Sequence, residues 1–561
     1  MKKDRFMKKN KDFKGGGFKS GGFKGGGFKR DFKGGFKQFE EGREAKEMNL
    51  TDVNVDLVGD RVIVKGIVEK IIQTGGPTIF SVFDSTGSLL LKGFDKPGER
   101  AFPEIVEGDA IKAVVEVSEF KGDVEGEIKK IDKFSEEDHK QLAIEIENEQ
   151  IKRSKVNEIP FLVKSHILDK LRDLFIKAAS EIRLAIIQKR PIIVRHHNDT
   201  DGYSAGFALE RAILPLIQKE QKSEKAGWEF FLRAPCAAPL YEIDDSIRDA
   251  ATSLRNVAKF SNKLPLVIIA DNGSTPEDLF AIQHGKVHGM EFIVVDHHFS
   301  GEDVISKEVL THINPFLVGE DGAKYSAGML CTELARLINP EVNINQIPAM
   351  AGFADKIDIA NDKTVQDYMR IAEKEGYSKE LLHDISTVID FVSAKLRFME
   401  AREYIEVLFG EPRKKQKELV ALMAPYIRKL QHKGLAISKA NAVSEKIGQT
   451  TLQTIDIEST FPGFGFYPKP GMCVSMIHDY AKESKKLDKL VSAGIMGTAI
   501  TLRATDGANF SVHDLITLLN KRLPDAFVEG GGHKNAGSIN FLPNKQKEVI
   551  EILKEFIKSR S

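Results

Sequence analysis

The sequence predicts a multidomain protein: a parallel-sheet α/β core, a smaller α/β domain C-terminal to it, an all-β barrel ahead of it and a disordered N-terminal tail. Three observations carry this reading. Apolar runs end directly in acid or histidine, as Ile192–Val194 before Arg195-His196-His197-Asn198-Asp199, Leu266–Ala270 before Asp271, and Phe292–Val295 before Asp296-His297-His298. Residues 49–134 hold five short strand-like segments separated by glycine and aspartate turns. Residues 1–45 are dominated by glycine, lysine and phenylalanine. At 561 residues the chain is also too long for one hydrophobic core.

In residues 1–45 Phe-Lys recurs through glycine, as at Lys14–Lys19 and Lys24–Lys29. So little aliphatic surface cannot offset the entropy of ordering the chain, which predicts disorder. Residues 1–39 hold thirteen Lys/Arg against three Asp, although the whole chain balances 82 Lys+Arg with 82 Asp+Glu. The basic character is therefore local. Its lysines can neutralise phosphates while Phe18, Phe23, Phe28 and Phe32 stack on bases, so the tail reads as a nucleic-acid contact, with a solubilising tail as the alternative.

Residues 48–135 follow. Strands are predicted at Val62–Ile72, Ile79–Phe83, Ser88–Phe94, Ala110–Val117 and Val124–Ile131, punctuated by Gly75-Gly76-Pro77, Asp84–Gly87, Gly108-Asp109 and Gly122-Asp123. The run from Gly66-Ile67-Val68 through Phe80–Asp84 to Gly108-Asp109 resembles the OB-fold nucleic-acid-binding domains, which implies single-strand binding; such barrels also dock proteins. Residues 136–184 read as a helical linker. The alternation Ile144-Glu145-Ile146-Glu147 is too short for a strand amid so much charge, and Ile167–Ile187 is apolar at helical spacing.

Residues 185–360 form the α/β core. The run from Ile192, led in by Pro191 and closed by Gly202, reads as a buried parallel strand, followed by a helix from Ser204 to about Ile217. Trp228–Leu232 reads as a strand and Ile243–Val257 as a helix, and the apolar segment Ile347–Ala354 is taken with the strands as delivering Asp355. Tyr325-Ser326-Ala327-Gly328 opens a helix with Ser326 as its N-cap. Ligands of open α/β sheets bind at the carboxyl ends of the strands. Carboxylates massed there repel one another unless something cationic sits among them. Imidazole and carboxylate without cysteine suit Mn²⁺, Mg²⁺, Fe²⁺ or Zn²⁺. Two ions sharing a carboxylate would polarise a phosphoryl group and produce hydroxide near neutral pH, so the chemistry indicated is phosphoester hydrolysis.

His197-Asn198-Asp199-Thr200-Asp201-Gly202, Asp271-Asn272-Gly273-Ser274, Asp296-His297-His298 and Asp355 resemble, in order, the four motifs of the DHH phosphoesterases. Over roughly Asn49 to Lys558 the resemblance is to archaeal RecJ-like single-strand exonucleases. It implies that His197, Asp199 and Asp271 hold one divalent ion and Asp201, Asp271, His297 and Asp355 a second, with Mn²⁺ preferred and Mg²⁺ the alternative. It gives catalytic roles to His298, on the phosphate or the leaving oxygen, and to Asp296, orienting an imidazole. In residues 446–561, Arg503 at the end of the apolar run Ile500–Thr505 and the glycine run Gly530-Gly531-Gly532-His533 resemble the DHH-associated C-terminal domain, implying that these residues bind substrate phosphate. Residues 361–445 resemble the helical connector between the two halves.

The activity implied is a metal-dependent exonuclease on single-stranded DNA or RNA. A phosphatase of short oligonucleotides or nucleotide phosphates is the alternative, and a non-catalytic replication scaffold a third. Replication or repair proteins are the further partners implied. Cys236, Cys331 and Cys473 match no zinc or redox spacing, and no segment approaches the ~20 apolar residues of a membrane helix, so a cytoplasmic protein without membrane contact is predicted.

Overall fold

The computed structural model describes residues 45–560 apart from 97, 121, 222, 258–262, 299–300, 397–401 and 462–466. The tail predicted to be disordered lies, up to residue 44, outside the described residues.

The first sheet comprises β1 (Lys46–Glu47), β2 (Arg61–Gln73), β3 (Thr78–Phe83), β4 (Ser88–Gly93), β5 (Ala110–Phe120) and β6 (Asp123–Lys133). β2 pairs with both β3 and β5, and β4 runs parallel to β6, so the last five strands close into an OB-type barrel. Alternation sends Val62, Val64, Val68, Phe80, Val82, Leu91 and Val115 inward. Gly66 permits the crossing of β2 over β3, since a Cβ there would stand 2.5 Å from the Phe83 carbonyl oxygen. Outside, Leu90, Phe94 and Phe120 are exposed around Lys92, which pairs with Glu125 and lies 4.2 Å over the Phe120 ring.

The core sheet is built from β7 (Ile192–His196), β8 (Phe231–Pro235), β9 (Leu266–Ala270), β10 (Glu291–Val295) and β11 (Thr311–Ile313), all parallel, in the order β11-β10-β9-β7-β8. The chain runs from β7 out to the edge at β8 before crossing to β9. The order therefore reverses between β7 and β9, and a crevice opens at their carboxyl ends.

Three sequence expectations are corrected here. Ile347–Ala354 is a helix rather than a strand. A short, wholly apolar run has no periodicity to separate the two, and Pro348 in the first turn suits a helix start. β8 begins at Phe231 instead of Trp228: Trp228 falls in a helical turn, Ala226–Glu229, 66% exposed beneath the Arg402 guanidinium. The helix expected from Ser204 begins at Thr200 and runs to Gln221. The linker and connector are helical as read, with Ile144–Glu147 inside Glu136–Ser154, and helices at His166–Ile187, Ile357–Lys374, Lys379–Leu396, Arg402–Leu408 and Arg413–Asn441.

The barrel meets the core at the amino ends of the sheet strands. Lys189, just ahead of β7, pairs with Glu69 at 2.9 Å, and Arg153 donates to the Ser85 carbonyl at 3.2 Å. A groove of about 480 Å³ lies between the two. Five-residue strands at roughly 3.3 Å per residue put the crevice some ~17 Å away.

The third sheet is mixed: β12 (Val443–Ile447), β13 (Thr450–Asp456), β14 (Leu490–Met496), β15 (Ala499–Ala504), β16 (Glu529–His533) and β17 (Ala536–Asn540), in the order β12-β13-β14-β15-β17-β16. The glycine run is thus an edge strand. Gly530 and Gly532 allow its close approach to β17, where a Cβ would stand 2.3 Å from the Ser538 oxygen and 2.5 Å from that of Ala536; at Gly531 the same position is open. The three cysteines are free and buried, and among the described residues no helix is long and apolar enough to cross a membrane.

Candidate active site

The parallel register brings the motif loops level. The His197 amide donates to Ala270 (3.3 Å), that of Asp271 to Val295 (2.9 Å) and that of Asp296 to Ile313 (2.9 Å), so each loop leaves its strand against the end of the next.

Among the described residues four overlapping groups of His and Asp could hold a cation, and two of them fall on the predicted ligands. His197 Nδ1 lies 2.9 Å from Asp199 Oδ2 and 3.5 Å from Asp271 Oδ2. His297 Nε2 lies 3.4 Å from Asp271 Oδ1, 3.6 Å from Asp355 Oδ2 and 3.9 Å from Asp201 Oδ2. Asp271 belongs to both groups, one oxygen to each. Its φ of +64° is a left-handed conformation that aspartate tolerates better than most residues and that costs backbone energy, held here at the centre of the cluster.

These residues fit divalent cations. Asp271 Oδ2 and Asp355 Oδ2 are buried without a hydrogen-bond partner. Burial, together with Asp271 and Asp355, pushes the Asp201 carboxyl well above its usual range, and burial pushes Asp355 up to about 6 against the opposing pull of His297. Burial alone would depress His197 and His297, yet the surrounding carboxylates hold both well above the ordinary histidine range. Excess negative charge with unsatisfied oxygens and imidazole nitrogens is the donor set of a cation site.

Asp201 is held from behind. The Ala327 and Gly328 amides, opening the helix Ala327–Ile338, donate to its two oxygens at 2.9 and 3.0 Å, and Ser326 caps that helix as expected. A Cβ on Gly328 would stand 2.9 Å from Asp201 Oδ1 and 2.6 Å from the Ala351 methyl. The small-residue segment is thus a carboxylate cradle.

His298 Nδ1 lies 2.8 Å from Asp296 Oδ1, which also accepts from the His297 amide at 2.8 Å. Burial would lower His298, but Asp296 holds it above its usual value. Asn314 Nδ2 donates to the His298 carbonyl at 3.0 Å and to Ser274 Oγ at 3.1 Å. The strand it follows, β11, has only three residues, too few to signal Asn314 in the sequence.

From the third sheet, His533 lies over the motif histidines, its ring 5.0 Å from His298 and 5.2 Å from His297. Burial, and then the positive potential of His298 and His297, keep it well below the usual histidine range. Arg503 donates to Ser475 Oγ (2.9 Å) and the Leu502 carbonyl (2.8 Å), and Nη2 reaches within 3.6 Å of the Cβ position of Gly471, across the start of the helix Pro470–Ser484. The structure thus gathers all six predicted ligands with Asp296, His298 and His533, while these two hydrogen bonds of Arg503 stay within the C-terminal part.

No family model matches the sequence. The chain is 35% identical over 547 residues to the uncharacterized protein MJ1198 of Methanocaldococcus jannaschii, covering 92% of this chain and 72% of that protein. A solved structure of the DHH domain of PF0399, described as a member of a family of ribosomal proteins, superposes with a TM-score of 0.71 and 36% identity over 76% of this chain and 99% of its own. A manganese complex of RecJ from Thermus thermophilus aligns more loosely, with a TM-score of 0.47 and 15% identity over 74% of this chain and 59% of its own. A parallel sheet with an imidazole–carboxylate cluster at its switch point defines the class, and with these identities the chain belongs to the DHH family.

Proposed function

We propose that the protein is a divalent-metal-dependent phosphoesterase that removes nucleotides from an end of single-stranded nucleic acid. The observation that carries this is Asp271, whose two oxygens face two ligand groups, beneath a layer of His298 and His533. His197, Asp199 and Asp271 would hold one ion; Asp201, Asp271, His297 and Asp355 would hold the other. Divalent cations bound there supply Lewis-acid polarisation of a phosphoryl oxygen and a lowered pKa for water. The chain's own residues do the rest. With Nδ1 committed to Asp296, His298 presents Nε2–H to the phosphate or passes that proton to the leaving oxygen. Neutral His533, the open backbone at Gly531 and the Arg503 guanidinium receive a neighbouring phosphate.

Nucleic acid as substrate is supported by what surrounds the core. The barrel carries sixteen acidic against eleven basic residues over 48–135, so it is suited to stacking on Phe94 and Phe120 more than to neutralising phosphates. The basic tail supplies that charge. Replication or repair proteins are further partners of this reading, and three free cysteines suit a reducing cytoplasm.

The test is digestion of 5′- and 3′-labelled single strands of DNA and RNA with Mn²⁺ or Mg²⁺, resolved on a sequencing gel. A metal-dependent ladder growing from one end is expected. Cleavage confined to strands of a few nucleotides would favour the phosphatase, and intact metal binding without hydrolysis the scaffold.

A further inference from the structure

The loop that carries His197 and Asp199 is gripped from outside the core sheet. From the connector, Asp390 Oδ1 accepts from the Thr200 amide (3.0 Å) and hydroxyl (2.7 Å), capping the helix that follows the loop. From the start of the C-terminal helix Pro470–Ser484, Lys469 Nζ donates to the Asn198 carbonyl at 2.7 Å and to Ser393 Oγ at 3.1 Å. Within the loop and its flanks the Gly202 amide donates to the Asp199 carboxylate at 3.0 Å, the Tyr203 amide to the Asp199 carbonyl at 3.0 Å and the His197 amide to Ala270 at 3.3 Å, and the His197 carbonyl lies 2.7 Å from His196 Nδ1; the Asn198 side-chain oxygen is buried without a partner.

The helix dipole disfavours Lys469, while the nearby Asp199 and Asp390 carboxylates attract it. It is the N-cap residue of its helix, at the positive end of the macrodipole, and its side chain makes no cap bond there. Its backbone is firmly seated: Tyr467 is buried edge-on against Phe391, and Pro468 fills the space over Gly434. This packed segment delivers an ammonium to the main-chain carbonyl between His197 and Asp199 and to the Ser393 hydroxyl. Lys356 to Asp479, another tie across this junction at 3.2 Å, joins two largely exposed side chains and contributes little.

We propose that Lys469 is a positioning residue for the first ligand group. By holding the Asn198 carbonyl from the C-terminal half, it sets the loop in its ligating shape, so that cation binding at His197, Asp199 and Asp271 requires the C-terminal half to be docked. This deepens the reading of the cluster as a metal centre and rests on it.

The test is Mn²⁺ binding to the full-length protein, followed by calorimetry and by the electron paramagnetic resonance of free Mn²⁺. Lys469→Met is expected to weaken one of two bound equivalents by about 10- to 100-fold, the usual effect of removing a group that orients a ligand, with the other equivalent retained. Lys469→Arg, which keeps a donor, should restore most of the loss, and saturating Mn²⁺ should recover kcat. Should Lys469→Met fail to fold, Lys469→Gln replaces it, with an intermediate loss expected. Wild-type affinity for both equivalents in the folded variant would overturn the proposal. So would a raised KM with unchanged Mn²⁺ binding, which would make Lys469 a substrate contact. A wild-type protein that binds no Mn²⁺ would instead overturn the metal centre itself.

Discussion

His533 stacks on His298, ring centroids 5.0 Å apart and planes 26° from parallel. The first comes from an edge strand of the C-terminal sheet, the second from the loop after β10. This contact makes the candidate site a property of two parts of the chain: the core supplies the imidazole–carboxylate cluster, and the third sheet closes over it.

His533→Ala and Arg503→Ala are therefore expected to weaken oligonucleotide binding and slow cleavage while leaving Mn²⁺ stoichiometry unchanged. Equilibrium binding of labelled single strands beside metal titration checks this. Unchanged kinetics in both variants would make β16 a structural edge only.

His298→Ala should act differently. Its Nδ1 is tied to Asp296 and its other nitrogen is assigned to the reaction, so the rate should fall by about 10²- to 10⁴-fold, the range of a lost general acid. Single-turnover kinetics at saturating metal measures it. A loss of bound metal instead would exchange the roles of the two histidines.

Much of this cluster was legible in the sequence because its carboxylates and imidazoles sit where apolar runs stop. Asp271 and Asp296 follow uninterrupted five- and four-residue runs, and parallel strands buried on both faces have that signature. Asp355 stands beside the cluster, 3.6 Å from His297 Nε2, but not at the end of a strand as expected. The run before it is equally apolar but helical, and only the packing around Pro348 and its buried neighbours decides. What stayed hidden depends on main-chain partners: the amides of Ala327 and Gly328 on Asp201, and the Asn198 carbonyl on Lys469. Side-chain patterning cannot display a backbone acceptor. Asp390, in the connector helix Lys379–Leu396, carries no such signal either, and only its bonds to Thr200 mark it.

Gly328→Ala tests the cradle. In an ordinary helix interior this change would stabilise by about 1 kcal/mol. Here the new Cβ would press on Asp201 and the Ala351 methyl, and overpacking of that kind costs about 1–3 kcal/mol. A lowered Tm and weakened Mn²⁺ binding are expected, and a raised Tm with normal binding would remove the cradle's significance.

Removing residues 1–45 should weaken single-strand binding most at low salt and leave single-turnover cleavage of saturating substrate nearly unchanged. With ~3 to 5 lysines engaged at about 0.7 per contact, the salt slope should flatten by about 2 to 3.5. Phe94→Ala and Phe120→Ala in the barrel should lower affinity without altering that slope, since stacking is not screened. Equal slopes for full-length and truncated protein would make the tail a solubilising or docking segment.

The most direct measurement is hydrolysis and Mn²⁺ stoichiometry of Asp271→Ala beside wild type, with folding followed by circular dichroism. Among the described residues, Asp271 is the carboxylate within reach of both His197 and His297. The account predicts a folded protein that loses both bound equivalents and with them all detectable cleavage. Robust metal-dependent cleavage by a correctly folded Asp271→Ala protein would contradict it.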